Sequence, residues 1–596
     1  MPAIRLAISQ FRPDKGEYAK NVERIGGVLA QATQLDPKPQ LVVFPETATS
    51  GYFVEGGVKE VAVTAGTLAR DLAGLYSGPA IDVAVGFYER FQNHIYNSCL
   101  YVTLGKKKPE VRHVHRKVFL PTYGVFDEER FVDRGQDGVR AFDVGWGGRV
   151  AILICEDAWH SIAGTVAAVG GAQLIIVPSA SPARGPGGEL DDVGTKLPTS
   201  MVRWERIVRG IAEEHGVFVA LANLVGFEGG KGFPGGSAVI DPMGNIVVRG
   251  PLFEEALVTA DLDLEALTHA RADSPLLADL QNALPILTKG LGKPKPSKVK
   301  FDPATNGTSP ISHLAKDGVA VVGGRAASDD PLALDGELVH KWLVSFLKDE
   351  VVRRRGFQKG VVGLSGGVDS SLTAVLAAEA LGKDNVIGVR MPYRTSSPES
   401  LSHAQLVIDK LGIESLTVDI TQAVDGHGND ADPHRKGNVM ARERMIVLFD
   451  LSAKHQALPL GTGNKSERLL GYFTWHADDA PPVNPLGDLF KTQVWALARH
   501  VGVPDVILSK PATPDLVPGQ RTEQDYGFTY QQADPILYYL VRGYAPEEIV
   551  ARGFDPAVVA AVQRRLESTH WKRRLPTVAV LSQTAIGEFY LRPVDY

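Results

Sequence analysis

Over the first 285 or so residues, apolar positions cluster in short runs of strand length, separated by stretches with a helical period. Ile4–Ser9, Leu41–Phe44, Ile81–Gly86, Arg149–Ile154, Leu174–Val177 and Val217–Leu221 predict strands. Val22, Ile25, Val28, Leu29 and Ala32 share one stripe, which predicts an amphipathic helix over about Tyr18–Gln34. Runs as continuously apolar as Val150–Ile154 imply strands buried on both faces, and so a layered α/β domain. The pattern lapses over residues 289–312, where five lysines between Lys289 and Lys300 alternate with Gly, Pro and Ser; this predicts a solvated linker. It resumes near Leu332 with a helix (Glu337–Arg355), a strand (Val361, Val362, Leu364) and a helix carrying Leu372, Val375, Leu376 and Leu381. Strands near Val386–Val389, Leu416–Val418 and Leu458–Leu460 then alternate with helices near Glu399–Leu411 and Val439–His455. Such alternation predicts a doubly wound parallel sheet, which binds ligands beyond the carboxyl ends of its strands. The expected division is a first domain over 1–288, a linker over 289–331 and a second domain over 332–596.

The bulk numbers change this picture little. A chain of 596 residues has room for roughly two to four cores. The net charge of −6 argues against a nucleic-acid or membrane-surface partner. No apolar run approaches the ~18 residues of a membrane span, and Met1-Pro2-Ala3-Ile4-Arg5 lacks the apolar core of a signal peptide. Two cysteines, Cys99 and Cys155, cannot build a disulfide framework and suit a reducing, cytoplasmic setting. Cys99 lies in the alternating run Asn97–Thr103 and is expected to be core filler.

The most specific chemistry lies after the strand at Val361. Leu364-Ser365-Gly366-Gly367-Val368-Asp369-Ser370-Ser371 is a small-residue loop that opens a helix. Glycines let backbone N–H groups approach an anion, and the helix start adds its dipole and free N–H groups. This makes a pyrophosphate cradle, although no Gly-Lys-Ser/Thr follows as in the common P-loop. Ser-Gly-Gly-x-Asp-Ser resembles instead the PP-loop of enzymes that split ATP into AMP and pyrophosphate.

In the first half, three residues stand at predicted strand ends: Glu46 in Phe-Pro-Glu, Lys117 in Lys-Val-Phe-Leu-Pro, and Cys155 in Cys-Glu-Asp. A cysteine nucleophile needs a base, because a free thiol (pKa about 8.5) is mostly neutral. Glu46 could take that proton, and Lys117 could stabilise an oxyanion. The order and wording of these segments resemble the nitrilase superfamily over residues 3–285, including Asn223-x-x-Gly226 and Gly235-Gly236-Ser237. The resemblance implies an αββα sandwich with a Glu46–Lys117–Cys155 triad and Glu128 as a supporting glutamate. It also implies that Tyr52 and Tyr123 line an amide pocket and that Ser181 touches substrate; ordinary loop packing is the alternative for these three.

The second half adds Asn438 to Met445, Gly461-Thr462-Gly463-Asn464-Lys465-Ser466-Glu467, Gly471-Tyr472-Phe473-Thr474, Asn484 to Val494, and Lys510 to Gln520. Over residues 332–575 this series resembles the NAD synthetases, whose domain is similar to the adenine nucleotide α-hydrolases. With the nitrilase-like half in front, the chain resembles the glutamine-dependent members. The resemblance implies that ATP adenylates the nicotinate carboxylate of deamido-NAD and that ammonia from L-glutamine displaces AMP. It implies Mg²⁺ on Asp369 and Glu467, and ATP on Leu364 to Ser371, Thr462 and Lys491. Deamido-NAD is implied on Asn438, Glu467, Tyr472 and Lys572. Ammonia passing between two sites further implies an internal tunnel and a homo-oligomer.

This chain departs from the family's wording twice. Trp475 to Val483 replaces a Gly-Asp-rich segment, so that Asp478 or Asp479 would stand in for the family's aspartate, and His570-Trp571-Lys572-Arg573 carries an extra tryptophan. Asp425 to His434 has the composition of a metal cluster but no zinc spacing, and reads as a mobile polar loop near the substrate. Rival functions are another PP-loop amidating enzyme such as a GMP synthetase, a tRNA-modifying PP-loop protein, or an inactive nitrilase scaffold. The first would carry a Gly-x-Cys-x-Gly elbow, which is absent, and the second a basic face, against which the acidic balance argues; the scaffold would have no reason to keep Glu46, Lys117 and Cys155 together.

Overall fold

A computed structural model describes residues 4–573 apart from 55–56, 192–193, 292–329, 429–431, 514–515 and 517–519. Most of the predicted linker therefore lies outside the described residues. No helix among them is long and apolar enough to cross a membrane.

The first half contains two six-stranded sheets. One runs in the order Ala256–Leu262, Ile4–Gln10, Leu41–Val43, Ile81–Phe91, His94–Leu104, Glu110–Arg116. The other runs Ile246–Arg249, Ala238–Ile240, Phe218–Asn223, Leu174–Ser179, Arg149–Ile152, Phe142–Asp143. Strand alternation sets the layers. Leu6, Ile8, Leu41 and Val43 enter the core shared with the second sheet. Ala7, Val42, Val83 and Val85 point the other way, onto the helices Tyr18–Ala32 and Ala65–Leu75. The helices Ser161–Val169 and Thr199–His215 cover the outer face of the second sheet through Ala163, Ala167, Val208 and Ala212. The result is the expected αββα sandwich.

The strand at Ile81 runs five residues past Gly86, its expected end. Gly86 instead marks a crossing of chains: a Cβ there would lie 2.3 Å from the Pro45 carbonyl oxygen and 2.6 Å from the Glu46 Cα. The strand ends at a two-residue hairpin whose Gln92 and Asn93 both have positive φ, 47° and 66°. Cys99 sits on the return strand, fully buried in the core, and burial pushes its thiol up.

The second half is built on a wholly parallel sheet ordered Glu414–Thr417, Val386–Arg390, Lys359–Gly363, Ala457–Pro459. Numbered along the chain this is 3-2-1-4, so the winding direction reverses between the first and fourth strands, which is where such sheets bind ligands. Val362 packs toward the helices Gly336–Leu347 and Val368–Leu381, and Val361 toward Pro433–His455. A helical cluster over residues 522–568 adds a separate core around Tyr526, Tyr530 and Leu537.

Two helix boundaries differ from expectation. The helix predicted over Glu337–Arg355 is α-helical only over Gly336–Leu347 and continues as a π-helix over Lys348–Arg353, where Asp349 and Glu350 turn inward to Arg353, Arg354 and Arg355. The helix predicted from Val439 begins at Pro433, because Asp432 caps it by accepting from the N–H groups of His434 (2.9 Å) and Arg435 (3.2 Å).

Candidate active sites

The first site collects the ends of three strands. Leu41–Val43 delivers Glu46, Glu110–Arg116 delivers Lys117, and Arg149–Ile152 delivers Cys155. Glu46 and Lys117 are both 0% exposed. The Lys117 ammonium lies 2.7 Å from Glu46 Oε1 and 2.7 Å from Glu128 Oε2. Burial opposes its charge, but Glu128 and Glu46 outweigh burial and hold it well above the usual lysine range. Burial raises the Glu128 carboxyl, against the pull of Lys117. The remaining carboxylate oxygens are occupied by Ala180 N–H, which donates to Glu46 Oε2 at 2.8 Å, and by Asn97 Nδ2, which donates to Glu128 Oε1; Tyr52 O–H shares Glu128 Oε2 with Lys117, at 3.2 Å. Asn97 donates to both glutamates and so ties them together.

Cys155 heads a short 3-10 helix, Cys155–Trp159, with φ of 45°, a left-handed conformation uncommon for a side chain with a Cβ. Burial pushes its thiol up and Glu46 pushes it further, while Lys117 and Ser179 oppose them. A thiol raised in this way needs a base beside it to react. Ser179 Oγ donates to the sulfur at 3.6 Å. Asp157, fully buried, accepts from the N–H groups of Val118 and Phe119 through Oδ1, and from Ile154 N–H and His115 Nε2 through Oδ2. It thereby fastens the Lys117 segment to the Cys155 segment.

Around this centre Tyr52 packs edge-on against Phe53 and Phe126. Tyr123 is more exposed, and its hydroxyl donates to Glu156 at 2.9 Å. Ser181 Oγ accepts from Trp204 Nε1 at 2.7 Å. Asn97 and Asp157 are not among the residues that the sequence motifs single out. An Asn inside an alternating apolar strand was a signal for the first; nothing local signalled the partners of the second.

The second site lies at the switch point. The helix Val368–Leu381 starts at Gly367 with no side chain capping it, which leaves its first N–H groups available to an anion. Gly366 has φ of 74°, and a Cβ there would lie 2.1 Å from the Ser400 carbonyl oxygen, so only glycine fits the loop against its neighbour. The hydroxyls of Ser365 and Ser370 lie 3.2 Å apart, and Ser371 Oγ donates to Gly367 O at 2.8 Å, so the serines brace the loop. Leu364 N–H pairs with Val389 O at 2.8 Å, which keeps the loop in register with the sheet.

Asp369 opens the helix, and Lys491 Nζ pairs with it and lies 3.5 Å from Glu467 Oε1. Burial, reinforced by Asp369 against Lys491, pushes the Glu467 carboxyl up to about 7. Asn464 organises both acids: its side chain accepts from Glu467 N–H and donates to Asp369 Oδ1, each at 2.9 Å. This capping box is legible in the sequence as Asn464-Lys-Ser-Glu467. Asp534, on the helix Tyr530–Leu540, accepts from Ser466 Oγ and from the N–H and hydroxyl of Thr492, and so locks the two segments that carry Glu467 and Lys491.

Ser365, Gly367, Asp369, Thr462, Glu467, Tyr472 and Lys491 line one cleft, as do Asp478 and Asp479. Asp478 is engaged by Thr474 N–H at 2.8 Å, whereas Asp479 Oδ1 is buried with no hydrogen-bond partner. Asn438 and Lys572 are not part of that lining. Asn438 accepts from Thr474 Oγ1 at 3.0 Å, and Lys572 donates to the carbonyls of Gly471 and Phe473, both at 2.9 Å, beneath the Tyr472 turn. In the polar segment after Asp425, His427 meets Glu443 at 3.1 Å and Asp425 accepts from Tyr393 O–H at 2.8 Å; residues 429–431 lie outside the described residues.

Comparison with known proteins follows this division. The carbon-nitrogen hydrolase family model matches residues 5–272 and the NAD synthase family model residues 339–576. The glutamine-dependent NAD(+) synthetase of Thermotoga maritima is 31% identical across 100% of this chain and 99% of its own length. The NH(3)-dependent NAD(+) synthetase of Trichlorobacter lovleyi is 48% identical over 44% of this chain and 98% of its own length. The solved structure of glutamine-dependent NAD+ synthetase from Acinetobacter baumannii, in complex with ADP, has the same fold, with a TM-score of 0.69 at 24% identity over 100% of this chain and 98% of that one.

Proposed function

Since this chain belongs to the glutamine-dependent NAD(+) synthetases, we propose how its two sites divide the reaction. At the first, Glu46 takes the Cys155 proton as the sulfur attacks the carboxamide carbon of L-glutamine. Lys117 has three N–H donors and gives two to carboxylates, so the third remains for the oxyanion. Glu46 returns the proton to the departing ammonia, leaving a thioester that water hydrolyses to glutamate with Glu46 again as base. Glu156, next to the nucleophile and near an exposed tyrosine, offers a carboxylate to the α-ammonium of glutamine. Tyr52 and Ser181 complete the pocket wall.

At the second site the loop from Ser365 to Ser371 holds the pyrophosphate of ATP while a carboxylate oxygen of deamido-NAD attacks the α-phosphorus. Pyrophosphate leaves, ammonia attacks the acyl carbon, and AMP leaves as NAD+ forms. Asp369 and Glu467, two carboxylates brought together by Asn464 in the cleft, suit Mg²⁺, a hard cation that takes one or two carboxylates plus phosphate oxygens. Bound there, the ion would neutralise charge developing on the phosphates. Lys491 and Thr462 face the nucleotide, with Tyr472 and Asp479 on the deamido-NAD side; Asn438 and Lys572 act through the segment 471–474.

The observation that carries this reading is the buried Lys117 ammonium, held between Glu46 and Glu128 beside Cys155. We read the domains as 1–288 and 332–596, joined by the lysine-rich linker. We read the assembly as a homo-oligomer, supported by Ile446 and Phe449, 51% and 40% exposed and three residues apart on one helix; light scattering on the purified chain checks it. The deciding assay supplies deamido-NAD, ATP and Mg²⁺ with either glutamine or ammonium. Cys155→Ala should lose NAD+ formation from glutamine and keep it from ammonium, and Asp369→Asn should lose both. A Cys155→Ala protein that still used glutamine would remove the first half of the reading.

A further inference from the structure

One buried carboxylate in the first half takes no part in either reaction. Glu228 is 4% exposed and closes the hairpin Val225–Glu228/Lys231–Pro234. Its two oxygens accept from Tyr52 N–H (3.2 and 3.1 Å) and from Phe53 N–H (2.8 Å). Those two residues begin the pocket wall, and the hydroxyl of Tyr52 reaches Glu128 beside Lys117. Gly51, with φ of 80°, lets the chain pass close to Glu228: a Cβ there would lie 2.8 Å from Oε1.

The other side of this hairpin rests on the second half. Phe227 meets Phe346 edge-on with ring centroids 5.7 Å apart, and Gly232 lies against the indole nitrogen of Trp342. Both aromatics belong to the helix Gly336–Leu347, which packs on the helix that opens at the Asp369 loop. A second tie reaches the same loop. Arg353 donates to Pro13 O (3.1 Å) and pairs with Asp14 (2.7 Å), and Gly16 N–H donates to Ser50 O at 2.7 Å, two residues before Tyr52.

We infer that Glu228 is a positioning residue for glutamine hydrolysis, through which the docked second half fixes the Tyr52–Phe53 wall of the glutaminase pocket. The inference rests on Cys155 as the glutamine nucleophile. Among the described residues the N–H groups of Tyr52 and Phe53 find their acceptor only in Glu228, so they hold the wall only while a carboxyl-shaped acceptor sits at 228. Because the hairpin carrying it is clamped by Phe346 and Trp342, the wall's position is set by a surface of the other half.

The test uses the full-length chain, with KM and kcat for glutamine measured beside ammonium-supported NAD+ formation. Glu228→Leu should raise the glutamine KM and lower kcat/KM about tenfold or more while the ammonium-supported rate stays within about twofold. Glu228→Gln, which keeps an acceptor of the same shape, should recover most of that loss. Phe346→Ala, in the other half and outside both sites, should raise the glutamine KM in the same direction. Folded Glu228→Leu protein with wild-type glutamine kinetics overturns the inference, as does an equal fall with both nitrogen sources. Should Cys155→Ala retain glutamine use, the nucleophile assignment fails instead, so the two failures are distinguishable.

Discussion

His115 Nε2 and Asp157 Oδ2 lie 2.9 Å apart, and both side chains are almost wholly buried. The pair joins a strand of the first sheet to the turn that carries Cys155 in the second. With its other bonds to Ile154, Val118 and Phe119, Asp157 keeps the thiol and the ammonium of Lys117 in fixed relation. Asp157→Asn puts a donor where His115 and Ile154 already donate. We expect glutamine-supported kcat/KM to fall about 100-fold, roughly 3 kcal/mol of transition-state stabilisation, with ammonium-supported synthesis unchanged; steady-state assays with both nitrogen sources check this.

Lys117→Met leaves Glu46 and Glu128 facing one another in a buried site. Removing one partner from such a cluster costs about 3–5 kcal/mol, so the first-half thermal transition should drop by several degrees along with glutaminase activity. Adding Glu128→Gln to Lys117→Met should return part of the stability and none of the activity. Calorimetry alongside glutamate release separates the two effects.

Gly366→Ala drives a methyl group into the Ser400 carbonyl. The loop must move, and the affected quantity is ATP use: kcat/KM for ATP should fall at least about tenfold with either nitrogen source, while glutamine hydrolysis at the first site persists. A variant with normal ATP kinetics would place the triphosphate elsewhere.

His113 supplies a pH dependence. Burial, then the neighbouring His115, lowers its imidazole to about 4, and its ring stacks on Phe142 with centroids 4.4 Å apart. A group depressed on folding gives stability that is complete above its unfolded pKa of about 6.5 and is lost as pH falls toward the folded value. The first-half melting temperature should therefore decline between about pH 6.5 and 4. His113→Phe should flatten that slope, and melts over this window with both proteins measure it.

The sequence carried the layers because alternation and helical period are local properties. Leu6, Ile8 and Ala7 declare opposite faces within three residues, and Val361 and Val362 do so within two. It carried the chemistry where a motif is contiguous, as from Ser365 to Ser371. It was silent where a side chain acts on residues far along the chain. Asp157 grips a segment 39 residues away and Glu228 one 176 residues away, and neither spacing leaves a local trace. Gly86 misled for a related reason: it is small to let Glu46 cross the strand, and from sequence alone it read as a strand end.

The left-handed backbone at Cys155 has a consequence for how this protein tolerates change. A non-glycine residue in that conformation is held at a cost of about 1–3 kcal/mol, and here the surrounding fold bears it to aim a sulfur. Cys155→Gly should accordingly melt higher than Cys155→Ala, although both are equally dead toward glutamine. On this reading a glycine at 155 would leave a sturdier chain that depends on free ammonium, so thermal robustness and the use of glutamine pull this position in opposite directions.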